Sequence, residues 1–160
     1  MRNGGIQIGG RKMEKMSKKY EIRITGTNSE FMSETIRCAQ DAEKFARGFY
    51  GDDIDLYESA FIMLLNRANR VIGWAKISQG GISSTVVDIK MVCKYALDVL
   101  ASGVILVHNH PSGNIHPGPE DISLTRKLRE ALRMFDINLV DSIVIAHEGC
   151  FSFADDGQIC

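Results

Sequence analysis

His108-Asn109-His110 sets two imidazoles two positions apart, and Asp121 follows eleven residues after His110. The pair comes directly after Val104-Ile105-Leu106-Val107, an apolar run that reads as a buried strand. Side chains at i and i+2 of a strand share a face, so both rings can approach one point from one side. A carboxylate carried in by the next element supplies a third ligand. Two histidines, one carboxylate and a fourth position left to water make the arrangement of a catalytic zinc ion. Hydrolysis at such a centre also needs a group that takes a proton from water and delivers it to the leaving group. Glu58, just ahead of the apolar run Ala60–Leu65, is the best candidate. Asp52, Asp53 and Asp55 lie close by, and spacing alone does not choose among the four. Glu120 is the alternative to Asp121, although on a helix it faces about 100° away from it.

The elements that must hold these residues follow from periodicity and punctuation. Tyr20–Thr25 alternates as a first strand, and Ser29 suits the cap of a helix running through Phe31, Cys38, Ala42, Phe45 and Phe49. Gly48 and Gly51-Asp52-Asp53 end that helix. Ala60–Leu65 and Val71–Ile77 form a hairpin about a turn at Arg67-Ala68-Asn69, and Gln79–Ser84 is a Gly/Ser loop. Asp88 caps a second helix, with Ile89, Val92, Ala96, Val99 and Leu100 inward. Pro111 to Pro119 is a loop stiffened by three prolines. Gly118 and Pro119 suit the cap and first turn of a third helix, which runs to about Phe135 with Ile122, Leu128, Leu132 and Phe135 on its core face. Leu139–Ile145 is a strand and Cys150–Phe153 a short last one. The expectation is an α/β domain with a mixed, curved sheet flanked by helices.

Bulk properties narrow the function classes. A chain of 160 residues with 44% hydrophobic and 24% charged side chains is an ordinary globular domain. A formal charge of −1 gives no overall field toward nucleic acid or membrane. Residues 1–19 differ, with six Lys/Arg against one acid, and read as a disordered basic tail ahead of a single domain at 20–160. The tail offers phosphate contacts to DNA. Cys38, Cys93, Cys150 and Cys160 form no C-x-x-C pair and read as thiols of a reduced, cytoplasmic protein. No apolar stretch approaches the roughly 20 residues of a membrane span.

Other candidates carry less. His116 sits inside the loop, His147 reads as turn surface, Trp74 as packing, and Arg126, Lys127, Arg129 and Arg133 as a solvated helix face. H-E-x-x-H, the H-x-E with P-C-x-x-C of nucleobase deaminases, a P-loop and G-x-S-x-G are all absent.

His108-Asn109-His110-Pro111-Ser112-Gly113, then Pro119-Glu120-Asp121 and Leu124-Thr125, together with Asp141-Ser142-Ile143-Val144-Ile145, resemble the RadC-like group of JAB/MPN-domain proteins over about residues 28–157. The resemblance implies a cytidine-deaminase-like α/β fold and a metallopeptidase-type site. It matches Glu58 to the general acid/base and His108, His110 and Asp121 to the zinc ligands, with water completing the ion. The serine of the family pattern falls on Gly118. In active members of the wider superfamily that serine is held to stabilise the tetrahedral intermediate, and losing an oxyanion donor costs about 10²–10³ in rate. Longer RadC-like proteins carry a helix-hairpin-helix-type segment ahead of this domain, for which the chain has no room, so a DNA-repair role is weakly supported.

Two functions are thus in play. One is a zinc-dependent hydrolase acting on a peptide or isopeptide bond of an unidentified substrate. The other, favoured by Gly118 and the basic tail, is a catalytically weak metal-binding module that docks a protein or DNA partner.

Overall fold

The structure is a computed structural model and describes residues 34–80 and 86–159. The expected tail at 1–19, the strand Tyr20–Thr25, the helix cap at Ser29 and most of the Gly/Ser loop lie outside the described residues. The elements run α1 (Ala39–Arg47), β1 (Ser59–Leu65), β2 (Val71–Gln79), α2 (Ile89–Asp98), β3 (Gly103–Asn109), α3 (Pro119–Arg133), β4 (Asn138–Ile145) and β5 (Cys150–Ser152). The five strands form one mixed sheet in the order β2-β1-β3-β4-β5. Only β3 and β4 run parallel, as the helical crossover between them requires.

β3 is the centre of the sheet and is buried along its whole length, as is β1. Helices cover both faces, which is why these two strands are continuous apolar runs rather than alternating ones. Alternation instead sorts side chains between two cores. Val104 and Leu106 pack with Ala60, Ile62, Val92, Ala96, Leu128 and Leu132 beneath α2 and α3. Ile105 and Val107 pack with Met63, Leu65, Ala42, Ala46, Ile143 and Ile145 beneath α1. By the same period His108 belongs to the α3 face and Asn109 to the α1 face. Ala60 pairs with His108, so the start of β1 and the end of β3 meet at one end of the sheet.

Three sequence expectations are corrected. Glu34–Cys38 is not the middle of a helix. Thr35 bridges Arg70, and the Val71 N–H donates to the Glu34 carbonyl at 2.8 Å, so pairing with the start of β2 overrides helical periodicity and α1 begins at Ala39. Val99 and Leu100 do not face the core. Val99 caps α2, and Leu100 turns the chain with φ 53° and is 84% exposed. Ile122 and Phe135 are likewise exposed, since α3 ends at Arg133 and only Leu128, Leu132 and Thr125 of its side chains are buried. The Asp88 cap is as expected, accepting from the Lys90 N–H at 2.9 Å. No described helix is long and apolar enough to cross a membrane.

Candidate metal centre

β3 delivers His108 and His110 to one side of the sheet end. The His110 N–H donates to the Ile145 carbonyl at 2.9 Å, extending the parallel pairing one residue beyond the strand. The chain then turns through Pro111 and Ser112, and the Gly113 N–H closes the turn on the His110 carbonyl at 3.0 Å. Gly113 takes φ 81°, a conformation that strongly favours glycine. The loop returns the chain so that Gly118 caps α3 and Pro119 opens it.

Asp121, third residue of α3, does two things at once. Its Oδ2 accepts from the Gly118 N–H at 2.8 Å, satisfying one free donor of the helix start. Its carboxylate also faces both rings, with Oδ1 3.1 Å from His108 Nε2 and Oδ2 3.5 Å from His110 Nε2. The two Nε2 atoms are 3.2 Å apart. Glu58 joins from the residue just ahead of β1, and one ligand atom each from Glu58, His108 and His110 lies within 4.8 Å of the others. The four residues singled out from the sequence are therefore brought together, although they come from three separate elements.

The structure also separates Glu58 from the three acids near it. Asp53 Oδ1 accepts from the Gly51 N–H at 3.2 Å and closes a turn. Asp55 pairs with His147 at 3.0 Å on the surface. Asp52 is exposed in the loop. Only Glu58 reaches the histidines. Glu120 stays exposed, as the helix geometry expects.

The site holds Asp121 in its charged form and biases His110 toward protonation. Burial works against charge on Asp121, but hydrogen bonds from His108 and His110 outweigh it and hold the carboxyl far below the ordinary carboxylate range. The hydrogen bond to Asp121 raises the His110 pKa, against partial burial that lowers it. His110 Nδ1 lies 2.7 Å from the Asn114 carbonyl, which can only accept, so Nδ1 carries a proton, and on losing the Nε2 proton that faces Asp121 the ring would present a lone pair to an ion. His108 is 3% exposed, and its Nδ1 has no partner among the described residues, so every strong interaction of that ring is on its Nε2 side. Ligand atoms 2.0–2.2 Å from a tetrahedral centre lie about 3.3–3.6 Å from one another. The separations of 3.1, 3.2 and 3.5 Å are close to that spacing. Two imidazoles and two carboxylates are also the donor set of a divalent cation.

Glu58, His110 and Asp121 open onto a cleft of about 440 Å³ whose far wall is the loop, with Ser112, Asn114, His116 and Gly118. His116 is exposed there, its ring edge-on to Phe151 at 6.5 Å. Gly118 has φ −80° and ψ 172°, a conformation open to any residue. A Cβ at 118 would meet Glu120 Oε2 at 3.4 Å and Asp121 Oδ2 at 3.6 Å, which is ordinary contact. Neither backbone nor space demands glycine at that position.

Residues 36–158 match the family described as RadC-like JAB domain. This chain belongs to that family. It is 39% identical over 101 residues to a UPF0758 protein of Flavobacterium johnsoniae, covering 63% of this chain and 44% of that one. A UPF0758 protein of Porphyromonas gingivalis is 39% identical over 103 residues, 64% of this chain and 45% of its own. One from Pelodictyon phaeoclathratiforme is 31% identical over 152 residues, 95% of this chain and 68% of its own. The chain thus spans under half the length of the first two relatives, and the shared name states no activity. The mixed sheet with flanking helices is the architecture expected from the RadC-like resemblance.

One residue escaped the sequence reading. Asn109, between the two histidines, is fully buried on the opposite face. A signal existed: alternation sends the residue between two same-face histidines into the other core, where a carboxamide must find partners.

Proposed function

We propose that this RadC-like JAB domain is a zinc-dependent hydrolase that cleaves a peptide or isopeptide bond. The observation that carries the reading is the convergence of His108 Nε2, His110 Nε2 and the Asp121 carboxylate, with Glu58 beside them, at the mouth of one cleft. His108, His110 and Asp121 would hold the ion. Zinc supplies a Lewis acid and brings the pKa of water down to about 7. Glu58 takes the proton from the attacking water and delivers it to the leaving nitrogen, the exchange that general acid–base catalysis requires. Free thiols at Cys38, Cys93 and Cys150 support a cytoplasmic setting.

Gly118 supports a second reading, a metal-binding module that docks a protein or DNA partner in a repair-related role. The family's serine is missing where nothing structural excludes it.

Metal analysis tests the first reading. The purified chain is expected to hold about one zinc, lost in His108→Ala/His110→Ala. Glu58→Gln is expected to keep the zinc and lower hydrolysis by about 10²–10⁴. A wild-type chain that takes up no zinc on reconstitution overturns the hydrolase. Full activity in Glu58→Gln overturns the assignment of the base. Zinc uptake without hydrolysis, joined to salt-sensitive DNA binding that disappears on deleting residues 1–19, selects the second reading.

A further inference from the structure

We infer that Asn109 is a positioning residue that fixes Glu58 relative to the two histidines. The inference rests on the reading of Glu58 as the acid/base.

Glu58 lies at the end of a stretch, residues 51–58, that contains turns but no helix or strand. Such a segment is mobile unless its backbone is tied down. Asn109 ties it at three points. Its Oδ1 accepts from the Ser59 N–H at 2.7 Å, and its Nδ2 donates to the Ile54 carbonyl at 2.6 Å and the Tyr57 carbonyl at 2.7 Å. The last two acceptors and the first donor bracket Glu58 in sequence. Two further bonds complete the corner. The Gly80 N–H donates to the Glu58 carbonyl at 2.8 Å, and the Tyr50 hydroxyl donates to the Ser59 carbonyl at 3.1 Å. The main chain is therefore fixed on both sides of Glu58, leaving its side-chain torsions free.

The position of Asn109 makes this more than the filling of a buried site. Its backbone is continuous with that of His108 and His110, so any shift of the end of β3 moves both histidines and the anchor together. The separation between the Glu58 main chain and the two histidines is thus set through one side chain. Asparagine is the fitting residue, because both donors and an acceptor are used. Aspartate has the same shape but would place a charge against two carbonyl oxygens, and glutamine is longer by one methylene.

The test uses the full chain carrying Asn109→Asp, with Asn109→Ala as the second variant if the charge prevents folding. Zinc affinity, read by chelator competition, is expected to stay near wild type because the three ligands are untouched. Amide exchange across 52–59 is expected to accelerate about tenfold or more, the effect of losing buried hydrogen bonds, while 60–65 and 103–108 keep their protection. In the cobalt-loaded protein the Glu58 carboxyl carbon is expected to relax several-fold more slowly, since it sits farther from the ion. On any substrate the wild type cleaves, kcat is expected to fall about 100-fold with KM unmoved, the cost of a roughly 1 Å misplacement. Unchanged exchange at 52–59 overturns the proposal, as does an increase spread evenly over the sheet, which would make Asn109 a packing residue. Exchange is read on the metal-free protein. If the wild type binds no metal and cleaves nothing, the hydrolase reading falls while the anchoring of 52–59 is still decided.

Discussion

Two aspartates, Asp121 and Asp141, sit at opposite extremes of what a partly or wholly buried carboxylate can be. Asp141 in β4 is 4% exposed and is surrounded by neutral donors: the Ser142 and Ala154 N–H groups on Oδ1 and the Ser152 hydroxyl on Oδ2, at 2.7, 3.0 and 2.6 Å. It knots β4 to β5 and the turn that follows. Burial outweighs those bonds and raises its pKa. Asp121 has one such donor, Gly118, and two imidazoles, and its pKa is pushed the other way. The difference teaches that burial alone does not mark a functional carboxylate. The partners do: saturation by neutral donors makes a clamp, and a shared face with two histidines makes a ligand.

The comparison can be broken by exchanging effects. Asp121→Ala should weaken metal binding by more than the roughly 10–100-fold that follows loss of an outer hydrogen-bond partner. It should lower stability by only about 1 kcal/mol, through the lost helix cap. Chelator competition and urea unfolding of the metal-free chain read the two quantities. Asp141→Ala should do the reverse. Three donors lose their acceptor, costing about 3 kcal/mol or more of unfolding free energy, while zinc uptake at His108 and His110 is unchanged. If Asp141→Ala abolishes metal binding in chains that remain folded, the two carboxylates are coupled and the contrast fails.

A smaller effect sharpens it. Because the folded state raises the pKa of Asp141, the native protein binds that proton more tightly than the unfolded chain. Stability contributed at this site is therefore highest in acid and falls as pH rises through the ordinary carboxylate value toward the folded one. Asp141→Asn keeps the Oδ1 acceptor and removes the titration. The stability of wild type relative to Asp141→Asn should decline as the pH rises above the ordinary aspartate value of about 4, measured by urea midpoints at each pH. A difference that is flat in pH would mean that Asp141 titrates at its ordinary value.

Much of the site was legible because it is local. His108 and His110 share a face by strand period alone, and Pro119 with Gly118 located the helix start that carries Asp121. What stayed illegible depended on contacts distant in sequence. The choice of Glu58 over Asp53 and Asp55 required seeing Asp53 close its own turn and Asp55 pair with His147. The extended stretch at Glu34–Cys38 carries helical periodicity, and only its partner Arg70 shows why it is not helical. Leu100 and Phe135 read as core because apolar periodicity continues past the points where each helix ends.

The site's two halves also differ in how the chain must close to make them. His108, His110 and Asp121 belong to one strand–loop–helix stretch, whereas Ser59 and Asn109, which join the Glu58 corner to it, are fifty residues apart. Closing the longer loop costs about 1 kcal/mol more in chain entropy than closing the shorter. The ligand half is thus the more local of the two. Local opening of residues 51–58 would then release Glu58 while the three ligands stay together, so a chain can carry its ion and still lack the acid/base.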